Sequence, residues 1–144
     1  MSAASFFDSN VLIYLFDQDA PRKRAVAEGL CARAAEEGDV AISHQVVQET
    51  LHVVTRKVKP PLTAEEAGQF LASVLVPMWR VMPSTALYRH AMKLQEQHGF
   101  SFYDSLIVAA ALEAGCKRLL TEDMQHGQRI EKKLTIVNPF LAGA

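Results

Sequence analysis

Four carboxylates, Asp8, Glu49, Asp104 and Asp123, stand in or beside the chain's short apolar segments. Carboxylates brought together repel one another, so proteins cluster them chiefly to hold a hard cation. Oxygen ligands without cysteine or imidazole partners at metal-binding spacing suit Mg²⁺ or Mn²⁺ rather than zinc. One or two such ions can generate hydroxide from water and stabilise a leaving oxygen when a phosphodiester is cut. Each acid also has an ordinary explanation. Asp8, with Ser9 and Asn10 after it, can cap a helix. Asp104 can close a capping box with Ser101, at a helix end that tolerates negative charge. Asp123 can be a polar loop acid, and Glu49 a solvated helix residue. The choice turns on whether the chain's elements carry all four to one place.

Ala3 to Phe7 is too short an apolar run for a helix and suits a buried strand. Asp8 ends it, and Val11 to Phe16 continues as a helical segment, so Asp8 falls at the carboxyl end of a strand. Residues 21–37 predict an amphipathic helix. Pro21 takes its favoured first turn, Ala25, Val26, Leu30 and Ala34 form the apolar side, and Gly38 is the stop. Val40-Ala41-Ile42 is a second strand. Ser43 caps a helix from His44 to about Lys57, with the stripe Val47, Leu51, Val54 and Val58, and Glu49 lies off its centre. Thr63-Ala64-Glu65-Glu66 opens a helix to about Val76 with a capping-box pattern.

Met78 to Met82 predicts a third strand. Ser84 to Gln97 and Ser101 to Ala114 predict helices, each stopped by glycine. The latter is apolar nearly all round and therefore expected to be buried. Residues 118–121 and 134–137 predict the fourth and fifth strands. Short, mostly continuous apolar strands alternating with helices argue for a parallel sheet covered on both faces. With strands one and four as neighbours, Asp8 and Asp123 face each other across the crevice where strand order reverses. Asp104 opens the helix before strand four, and Glu49 lies on the helix after strand two. All four can then converge on one end of the sheet.

At 144 residues the chain fits one domain, residues 1–144, large enough for a full core. Its 49% hydrophobic and 22% charged residues are those of an ordinary globular chain. The two cysteines, Cys31 and Cys116, lie far apart and form no disulfide framework, which suits a reducing cytoplasm. The sequence shows no secretory signal and no apolar run of membrane-spanning length. A net charge of −1 gives no overall pull on nucleic acid. Any such contact must come from local clusters: Arg22-Lys23-Arg24, Arg56-Lys57 with Lys59, or Arg129 with Lys132-Lys133.

Taken together, these segments resemble the PIN-domain ribonucleases, in particular the VapC-type toxins of bacterial toxin–antitoxin modules. Phe7-Asp8-Ser9-Asn10-Val11-Leu12 resembles the opening motif, and Val46-Val47-Gln48-Glu49-Thr50-Leu51 the second acidic motif. Phe102-Tyr103-Asp104-Ser105-Leu106-Ile107-Val108-Ala109-Ala110-Ala111 resembles the third and most specific. Leu119-Leu120-Thr121-Glu122-Asp123 resembles the fourth. The four motifs occur in the family's order over essentially the whole chain.

The resemblance implies an α/β three-layer sandwich with a five-stranded parallel sheet in the order 3-2-1-4-5. It implies Mg²⁺- or Mn²⁺-dependent endoribonuclease activity, a homodimer, and a small antitoxin partner that blocks the site. It makes Asp8, Glu49, Asp104 and Asp123 the catalytic, metal-binding acids, with Asp8 and Asp104 foremost. Asn10 and Thr121 match positions that support the acids by hydrogen bonding. Glu122, beside Asp123, is the residue that could be confused with it.

Hydrolysis is expected to proceed by metal-activated water without a covalent enzyme intermediate. No Ser/His/Asp set has recognisable spacing, and His44, His52, His90, His98 and His126 are scattered. A phospho-receiver would show adjacent acids after strand one and a lysine after strand five. This chain has Ser9-Asn10 and Asn138-Pro139 there. A haloacid-type phosphatase needs a second Asp where Asn10 stands. A non-toxin RNA-processing nuclease and a catalytically silent binding module on the same fold remain as alternatives.

Overall fold

The computed structural model describes residues 3–141. Its strands are β1 (Ser5–Phe7), β2 (Val40–Ser43), β3 (Trp79–Val81), β4 (Arg118–Leu120), β5 (Arg129–Ile130) and β6 (Leu134–Val137). They form a six-stranded sheet in the order β3-β2-β1-β4-β6-β5. β1 pairs in parallel with β2 on one side and β4 on the other, through Phe6 opposite Ala41 and Leu119. The parallel sheet therefore has the expected order, with β6 as its fifth strand. The additional strand, β5, runs antiparallel to β6, with Ile130 opposite Leu134.

Phe6 and Phe7 explain why both faces of the sheet are covered. Successive strand residues point to opposite faces, yet Phe6 is 0% and Phe7 1% exposed. Helices must lie on each side. The chain supplies α1 (Ser9–Ile13), continued by a 3₁₀ turn at Tyr14–Phe16, then α2 (Pro21–Glu37) and α3 (His44–Val54). It continues with α4 (Ala64–Phe70), α5 (Val76–Met78), α6 (Thr85–His98) and α7 (Phe102–Glu113).

The helix ends follow from local chemistry. Pro21 begins α2, and Gly38 ends it in the left-handed conformation at φ 66°. Thr63 and Glu66 form a reciprocal capping box at α4. Ser43, Ser84 and Ser101 cap α3, α6 and α7 through their hydroxyls. α7 is buried from Ser105 through Ala111 and packs along α6. A helix apolar on every side can only be stable when enclosed in this way.

Three sequence expectations need correction. On α2, Val26, Leu30 and Ala34 face the core as expected, but Ala25 is exposed and the fully buried Ala27 joins the stripe instead. α3 stops at Val54, so Val58 lies outside the helix; its buried stripe is Val46, Val47, Thr50 and Val54. The helix expected through Val76 is interrupted by a π-helical turn at Leu71–Leu75, where the Val76 N–H bonds back to the Leu71 carbonyl. Among the described residues, no helix is long and apolar enough to cross a membrane.

Candidate active site

The chain leaves β1, goes outward through β2 and β3, and returns to β4 on β1's other side. This leaves a crevice at the carboxyl ends of β1 and β4. Asp8 follows β1 directly and is 5% exposed. It is also the N-cap of α1: Oδ1 accepts from the Ser9 backbone N–H at 2.8 Å. The helix-cap explanation and the site explanation thus apply to the same carboxylate, through its two oxygens. Oδ2 accepts from the Thr121 hydroxyl at 2.9 Å and, more weakly, from Asn10 Nδ2 at 3.4 Å.

Thr121 follows β4 directly and is fully buried. Its oxygen donates to Asp8 and accepts from Asn10 Nδ2 at 3.0 Å and the Asp123 backbone N–H at 3.1 Å. Asn10 Nδ2 also reaches Asp123 Oδ2 at 3.2 Å, and Asn10 Oδ1 accepts from the Glu122 N–H at 3.3 Å. An amide has two hydrogens, so the longest of these contacts, to Asp8, is the weakest. Asn10 and Thr121 thereby tie the ends of β1 and β4 together and hold Asp8 and Asp123 on either side of the joint.

Glu49 sits half-buried on α3, beside the buried stripe, and Asp104 in the first turn of α7. The Asp104 backbone N–H donates to Ser101 Oγ at 3.1 Å, so the cap of α7 uses the main chain of Asp104. The acids sense one another. Burial pushes the Asp8 carboxyl up to about 6; Thr121 and Ser9 oppose the rise, and the charges of Glu49 and Asp123 add to it. Glu49 is raised first by burial, opposed by Gln45, and raised further by Asp104 and Asp123, with Ser9 opposing.

The donor set is entirely oxygen, which fits Mg²⁺ or Mn²⁺. Among the described residues, however, no three His, Cys, Asp or Glu side chains are grouped closely enough to hold an ion by themselves. An ion held here would have to take one or two carboxylates and keep several waters, as Mg²⁺ usually does.

Glu122 and Asp123 separate clearly. Glu122 pairs with Lys23 Nζ at 2.8 Å and accepts from the Tyr14 hydroxyl. Lys23 also lies over the Tyr14 ring, 5.0 Å from its centroid. Lys23 Nζ also donates to the Tyr14 hydroxyl at 3.1 Å, and the joint contact of the two with Glu122, 99 positions from Lys23, has no signature in the sequence. Of the other cations, Arg22 donates to the Phe140 carbonyl and Arg24 approaches Glu28 at 4.0 Å. Lys57 and Lys59 line a cleft of about 480 Å³ with Ile13 and Val53, one helical turn beyond Ser9 and Glu49. Arg129, Lys132 and Lys133 surround Gly115 and Lys117 at the amino ends of β4 and β6, away from the acids.

Four of the five histidines have structural settings, and His52 is exposed on α3. His126 Nδ1 accepts from the Asn138 N–H at 2.9 Å, His90 pairs with Glu131, His44 lies against Trp79, and His98 stacks on Phe100.

A family model, the PIN domain, matches residues 5–131. No curated protein sequence matches the chain. The fold is similar to VapC20 of Mycobacterium tuberculosis, a sarcin-ricin loop cleaving toxin. The TM-score is 0.61 at 22% identity, covering 81% of this chain and 87% of that one. It is also similar to a toxin–antitoxin complex from Klebsiella pneumoniae (TM-score 0.66, 19% identity, 94% of this chain and 98% of that one). A third likeness is to VapBC2 from Rickettsia felis, bound to a DNA fragment from their promoter (TM-score 0.60, 18% identity, 94% and 99%).

Proposed function

The chain belongs to the PIN domain family, and on that premise we propose that it is a divalent-metal-dependent endoribonuclease of the VapC toxin type, restrained by a small antitoxin. The observation that carries the reading is the tie between β1 and β4. Thr121 and Asn10 hold a buried Asp8 beside Asp123, while Glu49, raised chiefly by its burial, is raised further by the charge of Asp104. A binding module has no need for this arrangement, because a buried carboxylate with acidic neighbours is costly without a cation.

Asp8 and Asp104 are the foremost ligands for Mg²⁺ or Mn²⁺, with Glu49 and Asp123 completing the acidic site. A bound ion supplies activation of water and neutralises charge on the phosphate being cut. The chain's own residues do the rest. Thr121 and Ser9 oppose protonation of Asp8 and so keep it available as an anion. Asn10 fixes the distance between Asp8 and Asp123. Lys23, at the rim beside Glu122, provides a positive charge for the RNA backbone.

The neighbours point to the biological setting: one cleaves the sarcin-ricin loop, an RNA, and another is a toxin held with its antitoxin. We place this chain in the same setting, in the cytoplasm, as a homodimer that binds an antitoxin. Purified protein freed of partners is expected to cut single-stranded RNA with Mg²⁺ or Mn²⁺ and to stop when EDTA is added. Cleavage undiminished by EDTA removes the metal mechanism. RNA binding without cleavage under any divalent ion makes the protein a binding module. Failure to co-purify with a small protein encoded next to it counts against the toxin assignment.

A further inference from the structure

We propose that a cavity beside the acids, walled by Tyr103, Tyr88 and Gln48, is a subsite for one unpaired nucleobase next to the scissile phosphate. The proposal rests on the nuclease reading above and assigns part of its substrate recognition.

The cavity, of about 110 Å³, opens where the start of α3 meets the end of β3 and the first turns of α6 and α7. Tyr103 immediately precedes Asp104 and is 67% exposed; Tyr88 is 45% exposed. They are joined through Phe102, whose ring lies 5.7 Å from Tyr103 and 6.3 Å from Tyr88. Two exposed tyrosines backed by a third ring form a stacking surface, and every nucleobase has a face that fits one. Leu87 and Leu106 make the cavity apolar beneath them, and no Lys, Arg, Asp or Glu lines it. Such a lining suits an uncharged ring rather than a phosphate.

The polar groups in the wall suit a base edge. Gln48 offers an amide donor and acceptor and is exposed. His44, also in the wall, has a buried Nδ1 without a partner. Gln45 connects the cavity to the acids: its Nε2 donates to the Tyr103 carbonyl at 3.3 Å, and its side chain lies against Glu49. A nucleotide whose phosphate meets the acids therefore has its base within reach of this cavity. The competing occupant is a second copy of the chain, because Met82 at the rim is 56% exposed.

The test measures binding of single-stranded RNA hexamers in EDTA, so that it does not depend on cleavage. One hexamer carries every base; six others each lack one base at a different position. Wild type is expected to bind one of the abasic hexamers roughly ten-fold more weakly than the intact one, the order expected for one stacked base. Tyr103→Ala should lose about the same factor on the intact hexamer and nothing further on that abasic one. Tyr103→Phe should bind as wild type, and Gln48→Ala should change which base is preferred. Wild-type binding that is equal across all abasic hexamers overturns the proposal. So does a Tyr103→Ala variant that binds normally but changes oligomeric state in light scattering, which makes the face an interface between copies. A protein that shows this base-dependent binding yet never cuts RNA retains the subsite and loses the nuclease reading.

Discussion

The Thr121 hydroxyl donates to Asp8 Oδ2 at 2.9 Å, joining residues 113 positions apart at the ends of neighbouring strands. Both residues are buried. The bond favours the ionised carboxylate, against the burial that disfavours it. Thr121→Val keeps the shape and removes the donor. Asp8 should then titrate above its present value of about 6. A metal ligand must be deprotonated, so the rising limb of the cleavage pH profile should move to higher pH and activity at pH 7 should fall. The variant should also lose about 1 kcal/mol of stability for the buried hydrogen bond. A pH profile that superimposes on wild type removes Thr121 from its supporting role.

Glu122 and Asp123 are adjacent acids with opposite surroundings. Glu122 is engaged by Lys23 and Tyr14, while Asp123 lies by Asn10. Glu122→Gln should therefore leave cleavage within a few-fold of wild type. Its ion pair with Lys23 is solvent-exposed and therefore weak. Asp123→Asn should reduce cleavage much more at the same Mg²⁺ concentration. Kinetics of the two variants side by side decide the matter, and the reverse ranking would make Glu122 the site acid.

These two acids also mark the limit of what the sequence shows. The positions of Asp8, Asp104 and Asp123 are legible because strand ends and helix starts leave local signatures, such as Asp8-Ser9-Asn10 after an apolar run, whereas Glu49, in the middle of α3, has no such mark. The partners of Glu122 are not legible, because Lys23 and Tyr14 belong to other elements and meet it only in three dimensions. β5 lacks a local signature for a different reason. Its turn to β6 uses Glu131 and Lys132 at φ 53° and 58°, where hairpins ordinarily advertise themselves with Gly or Asn. In α2 the expected Val26, Leu30 and Ala34 do face the core, while the fully buried Ala27 is not legible because an alanine gives almost no periodic signal.

At α7, cap and ligand can be separated by mutation. The cap is Ser101 Oγ receiving the Asp104 backbone N–H, so Asp104→Asn leaves it intact. Ser101→Ala should cost about 1 kcal/mol of stability, a normal N-cap loss. Asp104→Asn should change apo stability by less than about 0.5 kcal/mol, as surface substitutions usually do. It should nevertheless lose most of the stabilisation that Mg²⁺ gives wild type. Melting curves with EDTA and with Mg²⁺ supply both readouts. An Asp104→Asn protein that melts as low as Ser101→Ala, with its Mg²⁺ response unchanged, makes Asp104 a structural residue.

The last prediction sets the stability of Asp8 against its function. Its folded pKa is about 6, above the ordinary value of 3.8. Because the folded state binds this proton more tightly, the stabilisation it gives is fully present below pH 3.8 and is lost as pH rises through about 6. At pH 7.5 the metal-free wild type then carries an ionised, buried carboxylate whose cost is on the order of 3 kcal/mol. Asn caps a helix about as well as Asp and carries no charge. In EDTA at pH 7.5, Asp8→Asn should therefore melt at or above wild type. The difference should shrink as the pH is lowered toward 4, where Asp8 is protonated. Mg²⁺ at roughly a hundred times its dissociation constant should stabilise wild type by about 2.7 kcal/mol. The same Mg²⁺ should do far less for the variant, which should not cut RNA. A variant that melts well below wild type in EDTA at pH 7.5 shows Asp8 acting chiefly as the cap of α1. One that still cuts RNA at the wild-type rate shows that Asp8 does not hold the metal.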